Sequence, residues 1–133
     1  RLPEFIESRN SNFTYLSNRL STLTDYIELV VPTENSTPSW FGFPITLKDD
    51  SSTARGNLLK YLDQNKIGTR LLFAGNVTKQ PYMEGQKYRI SGKLTVTDDV
   101  MNRTFWIGLY PGLTEEMLEF SVRKMEDYFG ITF

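Results

Sequence analysis

The spacing of apolar residues in the first third of the chain predicts one helix followed by two strands. Leucine and phenylalanine recur every three or four residues from Phe13 to Leu23, which is the pattern of one buried helix face. Apolar and polar residues then alternate at 26–31 and at 40–47, so we expect two half-buried strands joined by a polar turn. Pro44 lies in the second strand and cannot donate a backbone hydrogen bond, which favours a sheet edge or a bulge.

The rest of the chain alternates helix and strand signals around one irregular segment. Thr95 and Asp98 have the spacing of a capping box, and Thr114 precedes two glutamates that suit a helix start. The predicted elements are a helix at 54–65, a strand at 67–73, an ordered loop at 74–92, a helix at 95–103, a strand at 104–110 and a helix capped by Thr114 and ending at Gly130. This order predicts a single domain over residues 1–133 of the α/β class, an α+β sandwich in which helices cover one face of a mostly antiparallel sheet.

Composition narrows the chemistry that this chain can perform alone. The 133 residues include no cysteine and no histidine, which removes disulfides, thiolate nucleophiles and histidine-based triads. Fifteen lysines and arginines against sixteen aspartates and glutamates give a net charge of −1, unlike the basic field of a nucleic-acid binder. No apolar run approaches the roughly 18 residues that a membrane span needs. We therefore expect neither nucleic acid nor a membrane as a partner.

The strand at 67–73 ends in the best candidate residues for ligand contact. Arg70 offers a planar fork of donors to phosphate or carboxylate, Asn76 can both donate and accept, and Gly75 permits a close backbone approach. A surface arginine and an Asn-containing turn explain the same residues without a ligand, and the residues alone favour that simpler interpretation. Lys79 is expected to be a solvated loop lysine. Aromatic residues on the strands are expected in the core more often than on a stacking platform.

Three stretches of the chain together resemble one enzyme family. They read PSWFGFP at 38–44, NKIGTRLLFAGN at 65–76 followed by Gln80 and Pro81, and TFWIGLYPGL at 104–113. These stretches are similar to the C-terminal part of nucleotide-sugar 3-dehydratases in the DegT/DnrJ/EryC1/StrS family of sugar aminotransferase-like, vitamin B6-dependent enzymes. The resemblance extends over essentially the whole chain, and it implies the small C-terminal domain of a fold-type-I enzyme that depends on pyridoxal phosphate.

The resemblance implies a reaction on a 4-keto-6-deoxyhexose carried by CDP, GDP or dTDP. In such enzymes pyridoxamine phosphate condenses with the 4-keto group and the C3 hydroxyl is lost, in the synthesis of lipopolysaccharide and other cell-surface polysaccharides. One sub-branch also carries a [2Fe-2S] cluster, for which this cysteine-free chain has no ligands. The large cofactor-binding domain and the catalytic histidine of the family would precede these residues. We therefore expect this chain alone to be folded but inactive.

The same resemblance implies a set of residues that face the nucleotide-sugar substrate, namely Arg70, Phe73, Asn76, Gln80 and Tyr82. Their expected role is contact with the substrate, and we predict no catalytic residue and no metal ligand in this chain. The expected partners are the substrate, the enzyme's own N-terminal domain and a second subunit in a homodimer. The expected location is the cytoplasm.

Two alternative functions stay open. The same domain could belong to a sugar-nucleotide aminotransferase, and a Schiff-base lysine in the preceding sequence would decide for it. The stretch at 68–76 lacks the His-Tyr-type element usual in those enzymes, which favours the dehydratases. The second alternative is a free-standing α/β interaction module, whose aromatic strands would form an oligomer surface.

Overall fold

The apolar periodicity of the sequence is realised as helices and strands in the predicted order. The computed structural model describes residues 1–51 and 53–131. The helices are α1 (Leu2–Arg19), α2 (Ala54–Gln64), α3 (Thr95–Arg103) and α4 (Glu115–Tyr128), and the strands are β1 (Ile27–Leu29), β2 (Gly42–Leu47), β3 (Thr69–Leu71) and β4 (Thr104–Gly108). Short 3₁₀ turns are found at Leu20–Leu23, Val77–Lys79 and Pro81–Met83. No helix in the described ranges is long and apolar enough to cross a membrane.

The strands form one sheet in the order β1-β2-β4-β3, and every neighbouring pair is antiparallel. Residues that are directly opposite in antiparallel strands point to the same face of the sheet. Ile45 is opposite Phe105, and Phe43 is opposite Ile107, so these four side chains share one face, and all of them are buried. The predicted mixed α/β fold with an antiparallel sheet is confirmed.

Three helices cover that apolar face. Their buried stripes come from α1 and the turn after it, from α2 and from α4, and they comprise Phe13, Leu16, Leu20, Leu23, Leu58, Leu62, Leu118, Val122 and Met125. Burying one such side chain contributes roughly 1.5–3 kcal/mol, so this layer dominates the stability of the fold. Helix α3 contributes no fully buried side chain and lies directly before β4.

Pro44 departs from its predicted place at a sheet edge, because β2 is an interior strand between β1 and β4. The pairing of β1 with β2 stops at Leu29 opposite Ile45, whereas β4 continues past Pro44 with Trp106 opposite it. Pro44 therefore has a neighbouring strand on one side only. This local equivalent of an edge lets the ladder tolerate a residue that has no N–H group.

The end of α2 explains why β3 begins at Thr69 rather than at the predicted residue 67. The N–H of Ile67 donates to the carbonyl of Leu62 at 2.9 Å, and Lys66 has a φ of 63°. This pattern is a Schellman cap, in which the residue after the left-handed position also packs on the helix. The predicted cap at Gly130 is confirmed, since it has a φ of 73° and follows the same pattern at the end of α4.

A charged cluster joins α1 to α4 beside the core. Glu119 accepts hydrogen bonds from Tyr15 Oη at 2.8 Å and from Arg19 Nε and Nη2 at 3.0 and 2.8 Å. Arg123, one turn later on α4, donates to the same carboxylate at 3.2 Å. The Arg19 guanidinium, and then the Tyr15 hydroxyl, lower the pKa of Glu119 to about 2. These contacts fasten two helices whose apolar sides are already buried.

Candidate functional site

The predicted site residues lie on β3 and on the irregular segment that follows it. Strand β3 forms an edge of the sheet, and the chain from 72 to 94 has no regular structure besides its two 3₁₀ turns. The first part of this region, residues 73–82, contains four of the five predicted residues and is called the 73–82 segment below. The segment connects the edge strand β3 to helix α3, which has no fully buried side chain. It therefore lies at the surface of this domain, where a ligand or another protein surface can contact it.

Arg70 presents its charge on the face of the sheet that the three helices leave open. It is directly opposite Trp106 of β4, so the two side chains share that face. Arg70 is exposed, and within the described ranges its one hydrogen bond joins Nη1 to the carbonyl oxygen of the neighbouring Thr69 at 2.8 Å. The rest of the guanidinium fork can therefore reach an anionic group without first breaking a structural contact.

Two aromatic side chains lie on this face, namely Trp106, the cross-strand neighbour of Arg70, and Phe41, which packs on Trp106. The ring of Phe41 meets the Trp106 indole edge-on, with 5.2 Å between the centroids and 75° between the planes. Gly42 makes room for the indole, because a Cβ atom there would lie 2.5 Å from Trp106 Cε3. Phe41 remains 55% exposed, so this pair forms a surface rather than part of the core. A cation beside flat aromatic rings is a combination that suits a nucleotide or a sugar.

Phe73 and Tyr82 are among the most exposed large side chains of the protein. Phe73 is 76% exposed and Tyr82 is 61% exposed, and Leu72 and Val77 between or beside them are also exposed. Apolar groups in such a contiguous stretch favour burial against a ligand or against another protein surface. The structure thus places Arg70, Phe73 and Tyr82 where they can make outward contacts.

Asn76 has a different place, because its side chain is turned inward and is only 2% exposed. Its Oδ1 accepts from Thr78 N at 3.0 Å and from Thr78 Oγ1 at 2.7 Å, which caps the turn Val77–Lys79. Its Nδ2 donates to Asp98 Oδ1 at 2.7 Å. These contacts agree with the simpler interpretation of a turn asparagine. In this conformation Asn76 shapes the segment and does not face outward.

Gln80 also contributes to the shape of the segment. Its Nε2 donates to the carbonyl oxygen of Ala74 at 2.7 Å, so the side chain spans the turn from one side to the other. The residue is partly exposed, and Tyr82 lies two residues later in a second short turn that begins at Pro81. Gln80 therefore combines a structural contact with an accessible edge.

Asp98 is the functional candidate that the sequence pattern misplaced. The predicted capping box with Thr95 is wrong: α3 begins after Leu94 with no side-chain cap, and the Asp98 carboxylate turns toward the 73–82 segment instead. Lys79 is exposed, as predicted for a loop lysine, and its Nζ also lies 2.9 Å from Asp98 Oδ2, a contact that was not predicted. The Asn76 amide, followed by the Lys79 ammonium, holds the pKa of Asp98 below its ordinary value.

A visible signal for this network exists in the sequence. The Asn76-Val77-Thr78 spacing is that of an asparagine that caps the next turn, which predicts an inward amide. Asp98 and Met101 are three residues apart, so they lie on the same face of α3. That face meets Asn76, since the Asn76 N–H donates to Met101 Sδ at 3.2 Å. Which loop would meet this helix face could not be predicted from spacing.

A well-formed groove of the domain lies elsewhere. It has a volume of about 750 Å³ and lies between the end of β4 and the start of α4, and Gly68, Gly108, Tyr110, Met117 and Phe120 are among its lining residues. None of the predicted site residues lines it. Arg70, Phe73 and Tyr82 instead lie on an open surface outside this groove. Such a surface can form one wall of a site if another part of a protein supplies the opposite wall.

The residues present do not form a pyridoxal phosphate site by themselves. That cofactor is normally held by an enclosed phosphate cradle, and in aminotransferases by a buried lysine. None of the seven lysines of this chain is buried. In addition, residues 1–51 and 53–131 contain no group of three acidic side chains that could hold a metal ion. Any cofactor chemistry would therefore depend on residues outside this chain.

Comparison with known proteins identifies the origin of this domain. Residues 1–126, nearly the whole chain, match the sequence pattern of one aminotransferase family. The chain belongs to the DegT/DnrJ/EryC1/StrS aminotransferase family. This confirms the family that the three sequence stretches resemble.

Curated relatives connect this family member with deoxysugar enzymes. It is 56% identical, over all 133 residues, to the lipopolysaccharide biosynthesis protein RfbH of Salmonella typhimurium. It is 41% identical, over 96% of the chain, to the dTDP-4-dehydro-2,6-dideoxy-D-glucose 3-dehydratase of Saccharopolyspora spinosa. The matched regions make up 30% and 28% of these relatives, so the chain spans less than a third of their length.

Solved structures of the family share the fold. One is the crystal structure of GDP-4-keto-6-deoxymannose-3-dehydratase determined with PLP, which superposes with a TM-score of 0.76 at 24% identity. The alignment covers 91% of this chain and 31% of that one. The prediction that the chain folds like one part of a pyridoxal phosphate enzyme is thereby confirmed.

Proposed function

We propose that this chain is the C-terminal domain of a nucleotide-sugar 3-dehydratase and that its 73–82 segment, with Arg70, forms one wall of the substrate site. The parent enzyme would remove the C3 hydroxyl of a 4-keto-6-deoxyhexose for the synthesis of lipopolysaccharide or another cell-surface polysaccharide. The observation that carries the proposal is the 41% identity, over 96% of the chain, to a relative named as a dTDP-sugar 3-dehydratase. The open surface of Arg70 and its aromatic neighbours supports it.

The five predicted residues divide into two roles in this proposal. Arg70 would pair its fork with an anionic group of the nucleotide, while Phe73 and Tyr82 would cover apolar faces of the base or sugar and exclude water. Asn76 and Gln80 would act mainly by fixing the backbone between them, because their amides are engaged within the segment. None of the five is assigned a proton-transfer step.

Pyridoxamine or pyridoxal phosphate would be held by the rest of the enzyme, where it supplies the electron sink for loss of the hydroxyl. A [2Fe-2S] cluster, if the parent belongs to that sub-branch, would also need ligands from outside this cysteine-free chain. The remaining proposed partners are the enzyme's own N-terminal domain and a second subunit of a homodimer. Exposed apolar residues on and after β3, including Leu71 and Ile90, suit such protein surfaces. A cytoplasmic location stays a prediction.

The test is product analysis with the full-length enzyme that contains this chain. We expect the C3 hydroxyl of a 4-keto-6-deoxyhexose carried by CDP, GDP or dTDP to be replaced by hydrogen, so that mass spectrometry shows the net loss of one oxygen atom. The reducing electrons come from pyridoxamine phosphate, which is converted to pyridoxal phosphate with release of ammonia. The isolated 133-residue chain is expected to show no turnover. Dehydration by the isolated chain, or none by the full-length enzyme with any of the three nucleotides, would contradict the proposal.

The alternative is a sugar-nucleotide aminotransferase, and the description of the family supports keeping it, because that description names aminotransferases. The same assay separates the two, since an aminotransferase would exchange the keto oxygen for an amine when glutamate is supplied. A Schiff-base lysine in the upstream sequence would also favour the aminotransferase. The free-standing interaction module has no supporting observation in the comparisons, whose matched relatives are much longer enzymes.

A further inference from the structure

Asp98 makes the connection between helix α3 and the 73–82 segment, although it lies far from that segment in sequence. We propose that Asp98 is a positioning residue that holds the 73–82 segment in the conformation that presents Phe73 and Tyr82 to the substrate. The effect on substrate binding rests on the proposed function, whereas the effect on the conformation of the segment does not. The argument depends on which atoms each carboxylate oxygen meets.

The first oxygen determines the orientation of Asn76. Asp98 Oδ1 lies 2.7 Å from Asn76 Nδ2, and a carboxylate with a lowered pKa can only accept. The amide nitrogen must therefore face Asp98, which directs the amide oxygen toward Thr78 N and Oγ1 at 3.0 and 2.7 Å. Because these bonds cap the turn Val77–Lys79, the carboxylate fixes the start of that turn through Asn76.

The second oxygen fixes the other end of the same turn. Asp98 Oδ2 lies 2.9 Å from Lys79 Nζ. One carboxylate thus contacts residues three positions apart, on both sides of a single 3₁₀ turn. The Asp98 side chain is 30% exposed and the Lys79 side chain is 52% exposed, so water screens this ion pair and its effect is on the position of the turn more than on global stability. Gln80 and Tyr82 follow this turn immediately, and their direction depends on where it ends.

Met101 sets the distance between the segment and the helix. It lies one turn after Asp98, and its Sδ accepts from Asn76 N at 3.2 Å. Gly75 has a φ of 69°, and a Cβ atom there would lie 2.7 Å from Met101 Cγ. The segment therefore lies against α3 through the hydrogen bond to the Met101 sulfur. The lack of a side chain at Gly75 allows this close approach. These contacts set how closely the segment approaches α3, whereas the two carboxylate oxygens of Asp98 contact both sides of the turn.

The neighbouring Asp99 provides a matched control. It is one residue away on the same helix and carries the same charge, but its side chain is 57% exposed and pairs with Arg103 of its own helix at 3.5 Å. Within the described ranges it has no hydrogen bond or ion pair to the 73–82 segment. Removing either carboxylate changes the net charge equally, so any difference between the two variants reports the contacts of Asp98.

The experiment compares Asp98→Ala, Asp98→Asn and Asp99→Ala in the full-length enzyme, with steady-state kinetics and amide hydrogen exchange of residues 74–83. Asp98→Ala is expected to raise KM for the nucleotide sugar about tenfold with kcat changed less than about threefold, because the wall is misplaced while the chemistry is not. Exchange in the segment should become faster. Asp98→Asn retains an acceptor for Asn76 but loses the pair with Lys79, so it should have a smaller effect on both. Asp99→Ala should match the wild type.

Two failures of this experiment have different meanings. Unchanged exchange in the Asp98→Ala enzyme would overturn the positioning role itself. Faster exchange with an unchanged KM would overturn the link to substrate binding, and it would then be the proposed substrate wall that is wrong. If the Asp98→Ala enzyme does not fold, the Asp98→Asn enzyme takes its place in the comparison, because asparagine has nearly the same shape as aspartate. An equal effect of Asp99→Ala would also overturn the proposal, since it would indicate a general charge effect.

Discussion

Glu119 and Asp98 are both carboxylates held by charge-assisted hydrogen bonds. Glu119 lies in the helical layer over the core, whereas Asp98 lies beside the exposed 73–82 segment. Glu119 joins α1 to α4, two helices whose apolar stripes are buried against the sheet. Asp98 joins α3, which has no fully buried residue, to a segment whose large side chains are mostly exposed. The first contact adds to an arrangement that the core already imposes. The second contact supplies an arrangement that no core imposes.

The comparison indicates where substitutions should affect stability and where they should affect function alone. A polar contact over a dense core can be lost with a moderate decrease in the free energy of unfolding, because the helices stay in place. A polar contact under an exposed loop has little effect on global unfolding, since such loops open locally at lower free energy. The helical layer and the 73–82 segment should therefore respond in opposite ways to the following changes.

The largest expected effect is on the helical layer. Leu16 of α1 is fully buried in the core, so Leu16→Ala should lower the free energy of unfolding by about 3 kcal/mol, from lost burial plus a cavity. Phe73→Ala removes a larger side chain, but one that is mostly exposed, and it should change stability by less than about 0.5 kcal/mol. Urea denaturation followed by circular dichroism measures both. Equal losses would mean that the segment is part of the cooperative core.

The next effect is on function in the other region. Arg70→Ala in the full-length enzyme should lower kcat/KM by about 100-fold, mostly through KM, because a desolvated charged contact to the nucleotide is lost. Stability should be nearly unchanged, since the described hydrogen bond of Arg70 goes only to the carbonyl of its neighbour. Arg70→Lys keeps the charge without the fork and should recover only part of the activity. Wild-type kinetics in Arg70→Ala would remove this residue from the substrate wall.

Glu119 should give a smaller effect on stability than the core. Glu119→Gln loses the ion pair with Arg19 and weakens the bond from Tyr15, and we expect a loss of about 1–2 kcal/mol in urea denaturation. Glu116, an exposed residue in the first turn of the same helix, serves as the control, and Glu116→Gln should lose less than about 0.5 kcal/mol, through its charge at the helix start alone. If both variants were equally stable, the cluster between α1 and α4 would have no net stabilising role.

The sequence alone predicted the helical layer far better than the 73–82 segment, for a physical reason. The stripe from Phe13 to Leu23 and the alternation in β2 are local periodic patterns, and burial of one face enforces them. The observed elements differ from the predicted ones only at their ends. Ile67, for example, has the character of a strand residue but forms part of the C-terminal cap of α2. The order of the strands in the sheet could not be predicted from local periodicity, because the pairing of β2 with β4 joins residues about sixty positions apart.

The candidate site residues were chosen because they match a family, and not because their contacts were foreseeable. Arg70, Phe73 and Tyr82 lie outward as a substrate wall requires, while Asn76 is turned inward. Its orientation depends on Asp98, whose position near the segment is a consequence of tertiary structure. Asp98 could have capped its own helix, but it contacts a distant segment of the chain instead. The spacing of residues in the sequence cannot distinguish these two roles.

The smallest expected effect separates the regions by pH. The pKa of Glu119 is lowered to about 2 by Arg19 and Tyr15, against an ordinary value of 4.5. Its contribution to stability is therefore complete above the ordinary value and is lost as the pH falls from about 4.5 toward about 2. The wild type should lose about 1 kcal/mol more than Glu119→Gln over this range in urea denaturation at several pH values. Because the Asp98 contact lies under an exposed loop, Asp98→Asn should keep the wild-type slope of global unfolding against pH. The opposite result would be that Asp98→Asn reduces the slope of the free energy of unfolding against pH while Glu119→Gln does not. In that case Asp98 would contribute to global stability and Glu119 would not, which contradicts the roles assigned to the two regions.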